Sequence, residues 1–254
     1  MPKNDNFNVN DPQLPLHKAI FMSIIILHMQ KGKPKIIVSL IGNIALFAMV
    51  FVSMVGLLSG YGISENSSIS YGIAVFKYFT IDSNVLIGVI ALLYAIFDIL
   101  FLLGKKEELP HWLSILKLLG TVGVVLTGLT VILFLVPVSV SNGNSFFALY
   151  TSWNFFFHFL IPLVSLIVFL FFENTKELVL RDTFIALIPM LAYTVYYMTA
   201  ALTHVENGRV TQGYDWYGFV AAGASFAPIP ILAMIAATYA ISFLLYFGNK
   251  KMAK

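Results

Sequence analysis

Two polar clusters interrupt an otherwise oily chain, and both carry groups capable of chemistry. The first is Phe79-Thr80-Ile81-Asp82-Ser83-Asn84; the second is Trp153-Asn154-Phe155-Phe156-Phe157-His158, followed by Pro162. Together they supply hydroxyls, a carboxylate, two amides and an imidazole. A threonine hydroxyl is a weak nucleophile that needs an adjacent base. A histidine can take its proton and return it to a leaving alkoxide. Thr80 and His158 are therefore the candidate nucleophile and base for acyl transfer, provided the two segments meet.

Helical spacing assigns the neighbours. Thr80, Ser83 and Asn84 stand at i, i+3 and i+4 and share one face, whereas Asp82 lies about 200° around from Thr80. Ser83 or Asn84, one turn from Thr80, could donate to a developing oxyanion. Asn154, His158 and Pro162 follow an i, i+4, i+8 line. Asn154 could hold one ring nitrogen of His158 and leave the other to act, with either nitrogen open as the base. Tyr193, Tyr196 and Tyr197 form one stripe beyond Pro189 and read as a substrate-pocket wall.

Every one of these residues also has a structural reading. Thr80 and Ser83 can bond to helix carbonyls one turn back, and His158 can be a satisfied packing histidine. Tyr196, Tyr197, Trp153 and Trp216 suit an interfacial aromatic belt. Asp98 and Lys117 can pair across helices or snorkel separately, and Asn43 can glue helices together.

The elements that must position these groups are membrane spans. The chain has 254 residues, of which 59% are hydrophobic and only 11% charged, with a mean hydropathy of +0.88. A soluble domain carries roughly twice that charged fraction. With no cysteine there is no disulfide, thiolate metal site or Cys nucleophile. The five histidines are scattered without metal-ligand spacing. No phosphate loop or basic-aromatic nucleic-acid patch is present, so neither metal, cofactor nor nucleic-acid partner is expected.

A span needs about 20 mainly apolar residues. Segments near 36–58, 78–103, 113–138, 153–172, 184–202 and 219–247 qualify. They predict an all-α fold, a polytopic bundle of six transmembrane helices. Ala19–Met29 is apolar but too short to span, is flanked by Lys18 and Lys31, and lacks a small-residue cleavage site after it. It predicts a short N-terminal interfacial helix. The organisation is thus a cytoplasmic segment over 1–35, a transmembrane domain over 36–247 and a tail over 248–254. No internal repeat suggests a transporter-type duplication.

Under this topology 13 of the 15 basic residues fall on one side, Lys77 and Arg209 being the exceptions. The positive-inside rule then puts both termini in the cytoplasm. Thr80 to Asn84 fall in the outer third of the second span. His158 lies roughly 8 Å into the fourth at 1.5 Å per residue, so the two clusters share a depth. The fifth span ends at the same level. The sixth opens with Ala221-Ala222-Gly223-Ala224-Ser225, small residues that permit close helix approach, then Pro228 and Pro230.

Phe-Thr-x-x-Ser-Asn at Phe79–Asn84, His158-x-x-x-Pro162, and Pro189-x-x-x-Tyr193 with the loop Gly213-Tyr214-Asp215-Trp216-Tyr217 occur in an order that resembles the androgen-induced-gene family of membrane threonine hydrolases. The nearer likeness is to its bacterial branch, related to androgen-dependent TFPI-regulating protein. The resemblance spans about residues 36–247. It implies an intramembrane hydrolase of lipid acyl esters, such as esters between a fatty acid and a hydroxy fatty acid. Thr80 would be the nucleophile, His158 the base, and a lipid from the outer leaflet the substrate, with the chain in a bacterial cell membrane. This chain departs from the animal members in its extended N-terminus and its Ser83-Asn84 pair. The rival class is a non-enzymatic lipid- or small-molecule-binding or transport protein that uses the same pocket.

Overall fold

The computed structural model describes residues 16–63, 70–106, 108–173, 177–211, 213–220 and 228–252, with side chains from residue 34 onward. The helices are α1 (Leu16–Ser59), α2 (Phe79–Leu102), α3 (His111–Ser141), α4 (Phe156–Phe172), α5 (Asp182–Thr203) and α6 (Pro228–Met252). Five runs are long and apolar enough to cross a membrane: Pro34–Ser59 within α1, then α2, α3, α5 and α6. The remaining apolar helix, α4, is shorter. A two-residue hairpin, β1 (Val205–Glu206) with β2 (Arg209–Val210), follows α5. The mainly helical, apolar architecture is that of an integral membrane protein.

The N-terminus differs from expectation. The predicted interfacial helix is not a separate element, because α1 runs unbroken through Pro34. A helix-interior proline forfeits one backbone bond and crowds the carbonyl four residues back. That cost is local, and the apolar residues after Pro34 continue the helix. The predicted small-residue opening of the sixth span, Ala221–Ser225, lies outside the described residues.

α3 is the axis of the fold. Every residue from Lys117 to Thr127 is buried, as expected for a helix covered on all sides. It packs against α2, α4, α5 and α6, while α1 closes over α2 and α4. Two glycines on α3 bring the polar clusters close to it. A Cβ on Gly123 would stand 3.1 Å from Ser83 Cβ. One on Gly128 would stand 3.1 Å from Pro162 Cβ and 3.2 Å from the His158 carbonyl oxygen. Small residues are what permit backbones to approach this closely in membranes.

Proline sets the local geometry of two helices. In α4, Phe156–Leu160 is wound as a π-helix immediately before Pro162. In α3, Val131–Leu135 is wound the same way before Pro137. A proline cannot donate to the carbonyl four residues back and collides with it. Those carbonyls belong to His158 and Leu133, each inside its π stretch. Such insertions recur at functional sites.

Candidate active site

A cavity of about 340 Å³ opens between α2, α3, α4, α5, α6 and the loop after the hairpin. Its wall is mostly apolar and includes Phe79, Phe134, Leu135, Met190 and Met234. Thr80 and His158 both line it. So do Tyr193 and Tyr197 from α5 and Tyr217 from the loop. Of the three π stretches among the described residues, the two that precede prolines contribute, through His158 and through Val131, Phe134 and Leu135; the third, Val168–Phe172, does not.

Four threonines face this cavity: Thr80, Thr127, Thr130 and Thr194. Three donate to carbonyls of their own helix, Thr127 to Val124, Thr130 to Leu126 and Thr194 to Met190, each at 2.8 Å. This is the ordinary resting state of a membrane threonine. Thr80 is different: among the described residues its Oγ1 makes no hydrogen bond. The carbonyl of Lys77, three residues back, is occupied by the Tyr193 hydroxyl at 2.5 Å. Tyr193 Oη in turn accepts from Trp216 Nε1 at 2.9 Å.

Among the described residues, His158 Nδ1 is buried and has no partner. Among the described residues, no direct hydrogen bond joins it to Thr80, and none joins it to Asn154. Asn154 therefore does not hold the ring as its spacing suggested. The π turn at Phe156–Leu160 alters the register of α4 between the two residues, so the i, i+4 relation of a regular helix does not apply.

The expected oxyanion donors are committed elsewhere. Ser83 Oγ donates to the Thr80 carbonyl at 3.0 Å. Asn84 Nδ2 donates to the same carbonyl at 2.7 Å and to the Phe157 carbonyl at 3.3 Å. Neither residue lines the cavity, nor does Asn154. Tyr196 stands apart from the wall as well, half-exposed and packed against Trp216 at 5.8 Å between ring centroids. The polar rim is thus narrower than the sequence suggested.

Tyr217 was legible only as part of an outer aromatic loop. Its hydroxyl accepts the Phe79 N–H at 3.0 Å, and so ties the loop to the first residue of α2. Burial pushes its phenol above the ordinary range, which keeps it protonated near neutral pH. Asp215 fixes the rest of the loop, accepting from the Tyr197 hydroxyl and from Val220 N at 3.0 Å.

A second buried polar group sits away from the cavity. Lys117 Nζ lies 2.9 Å from Glu173 Oε1, with both side chains fully buried, and also donates to Asn43 Oδ1. Asn43 Nδ2 donates to Glu173 Oε1 at 2.9 Å. Asp98 instead accepts from Ser39 Oγ at 2.8 Å. The anticipated Asp98–Lys117 pair is therefore replaced by Lys117–Glu173. Glu173 adjoins α4 and reaches Lys117 directly, whereas Asp98 is satisfied by α1. Asn43 acts as helix glue, as its position in an apolar span suggested.

No protein-family model matches the chain, and no curated protein or solved structure matches it either.

Proposed function

We propose that the protein is an intramembrane hydrolase of lipid acyl esters, with Thr80 as nucleophile and His158 as general base. The observation that carries this reading is the contrast among the cavity threonines. Three hydroxyls are spent on their own helices, while Thr80 is left free in a cavity shared with an unpartnered histidine. A buried polar atom without a partner, as His158 Nδ1 is among the described residues, is costly and calls for an explanation. A nucleophile and a base awaiting substrate provide one.

The apolar wall suits an acyl chain, and the motif order resembling the androgen-induced-gene family favours the same chemistry. The proposal includes a six-span bundle with both termini in the cytoplasm of a bacterial cell. The lipid enters sideways from the outer leaflet.

Labelling with a lipid-like fluorophosphonate probe tests the reading. Wild-type protein in detergent should label, and Thr80→Ala should not. Equal labelling of a correctly folded Thr80→Ala variant would refute the nucleophile assignment. The missing direct bond between Thr80 and His158 favours the rival reading, a cavity that binds a lipid or small molecule without turning it over. Saturable lipid binding with no hydrolysis by wild type would establish that alternative.

A further inference from the structure

Resting on the hydrolase reading above, we infer that the backbone N–H of Thr80 itself is the donor that holds the oxyanion. The first turn of a helix leaves N–H groups without intrahelical partners, and in a buried setting each must be accounted for. Phe79 N–H goes to Tyr217 Oη at 3.0 Å. Ile81 N–H and Asp82 N–H both go to the Tyr78 carbonyl, at 3.0 and 3.3 Å. Thr80 N–H makes no hydrogen bond among the described residues. The N-cap position is Tyr78, whose side chain caps nothing, where Ser, Thr, Asp or Asn would ordinarily satisfy such a donor.

The second observation is independent of the helix end. His158 lines the same cavity as Phe79 and Thr80, and among the described residues its buried Nδ1 has no partner. The residue that carries the free N–H and the free hydroxyl thus shares one cavity wall with the histidine. Most competing donors are already used; the Tyr217 hydroxyl, which accepts from Phe79 N–H, keeps its own proton and is the other donor on the cavity wall. The Ser83 hydroxyl and the Asn84 amide N–H groups point to backbone carbonyls, and the one free polar atom of Asn84 is Oδ1, an acceptor that repels an oxyanion. The hydroxyl protons of Tyr193 and Tyr197 go to Lys77 O and Asp215.

The step balances without any co-reactant except water. Thr80 Oγ1 bonds to the ester carbonyl carbon while its proton passes to His158. The carbonyl π electrons move onto oxygen, and Thr80 N–H, at the positive end of the α2 dipole, receives that charge. Collapse re-forms the carbonyl and breaks the bond to the alcohol oxygen, which takes the proton from His158. Water, deprotonated by His158, then releases the carboxylic acid from Thr80. A nucleophile's own amide serves in the same way in the Ser-His-Asp enzymes.

The test is an amide-to-ester replacement at residue 80. The α-hydroxy analogue of threonine, introduced by nonsense suppression, deletes the N–H and keeps the side chain. With p-nitrophenyl decanoate as substrate, kcat should fall by about 10²–10³ with KM little changed. Affinity for a decanoyl trifluoromethyl ketone, which forms a tetrahedral adduct, should fall in step. The melting temperature should fall only by the weakening of the Phe79 ester carbonyl as a helix acceptor, because the deleted N–H has no partner among the described residues. The same replacement at Leu86 removes a bonded helix N–H, so it should lower the melting temperature and leave kcat within tenfold. A Thr80 ester that turns over at the wild-type rate overturns the inference and leaves the hydrolase reading standing. So does one that melts as low as the Leu86 ester, since the N–H of residue 80 then has a structural partner. A wild-type protein with no turnover sinks both.

Discussion

Asn84 on α2 donates to the carbonyl of Phe157 on α4, the residue immediately before His158, at 3.3 Å. The same amide holds the Thr80 carbonyl at 2.7 Å. One side chain therefore sets the turn of Thr80, the proposed nucleophile, against the turn of His158, the proposed base, although it touches neither the Thr80 hydroxyl nor the His158 ring.

Asn84→Ala should loosen that registration. Losing two buried bonds, each worth about 0.5–1.5 kcal/mol net, costs about 1–3 kcal/mol of stability. Thermal melting in detergent would register this, and probe labelling of the folded fraction should slow without vanishing. Wild-type melting and labelling would show that the amide positions nothing.

The Lys117–Glu173 pair gives a prediction of a different kind. Both side chains are fully buried, so removing one charge leaves the other uncompensated. Lys117→Met should therefore cost about 3–5 kcal/mol. The double variant Lys117→Met/Glu173→Leu should recover most of that loss, since an apolar pair of similar volume is often neutral or better. None of these residues lines the cavity, so the turnover of whatever protein folds should be unchanged. Melting temperature and activity per folded molecule separate the two effects.

These two polar groups show where the sequence was readable. The apolar runs made the membrane-length helices visible, because length and hydropathy are local properties. The polar interruptions at Thr80 and His158 pointed to one cavity, because depth follows from position along a span. What helical spacing missed was displaced by proline. The π turn before Pro162 shifts His158 relative to Asn154, and no period-3.6 pattern anticipates that. The pairing of Lys117 with Glu173, and of Tyr217 with the Phe79 amide, joins residues far apart in the chain. Such pairings are decided by packing and leave no local signature. Asn84 was assigned to the wrong task for a related reason: its face was right, but the Phe157 carbonyl claimed its donor first.

Topology can be tested on a clean background, because the chain has no cysteine. A single Asn207→Cys, in the turn between β1 and β2, should react with a membrane-impermeant maleimide added to intact cells. Lys254→Cys should react only after the cells are opened. This follows if the positive-inside rule sets the orientation, with 12 basic residues, Lys117 being buried in α3, on the side proposed for the termini. Labelling of Lys254→Cys in intact cells would invert the orientation and place the cavity mouth on the cytoplasmic face.

The sharpest prediction concerns Thr80 and His158 as a unit. If one attacks while the other takes its proton, neither works alone, and their losses cannot add. Thr80→Ala and His158→Ala should each abolish most hydrolysis of p-nitrophenyl decanoate, and the double variant should be scarcely worse than either. Both single variants should fold, because among the described residues Thr80 Oγ1 makes no hydrogen bond and His158 Nδ1 has no partner to lose. Removing an unpartnered buried polar group can even raise the melting temperature. Thr80→Ser keeps the hydroxyl and should retain measurable turnover and probe labelling. His158→Ala should lower activity most near neutral pH and show partial rescue by added imidazole, which can enter the space the ring vacates. Independent, multiplicative losses in the double variant would mean that the two residues act separately on the cavity, and the nucleophile–base assignment would fall.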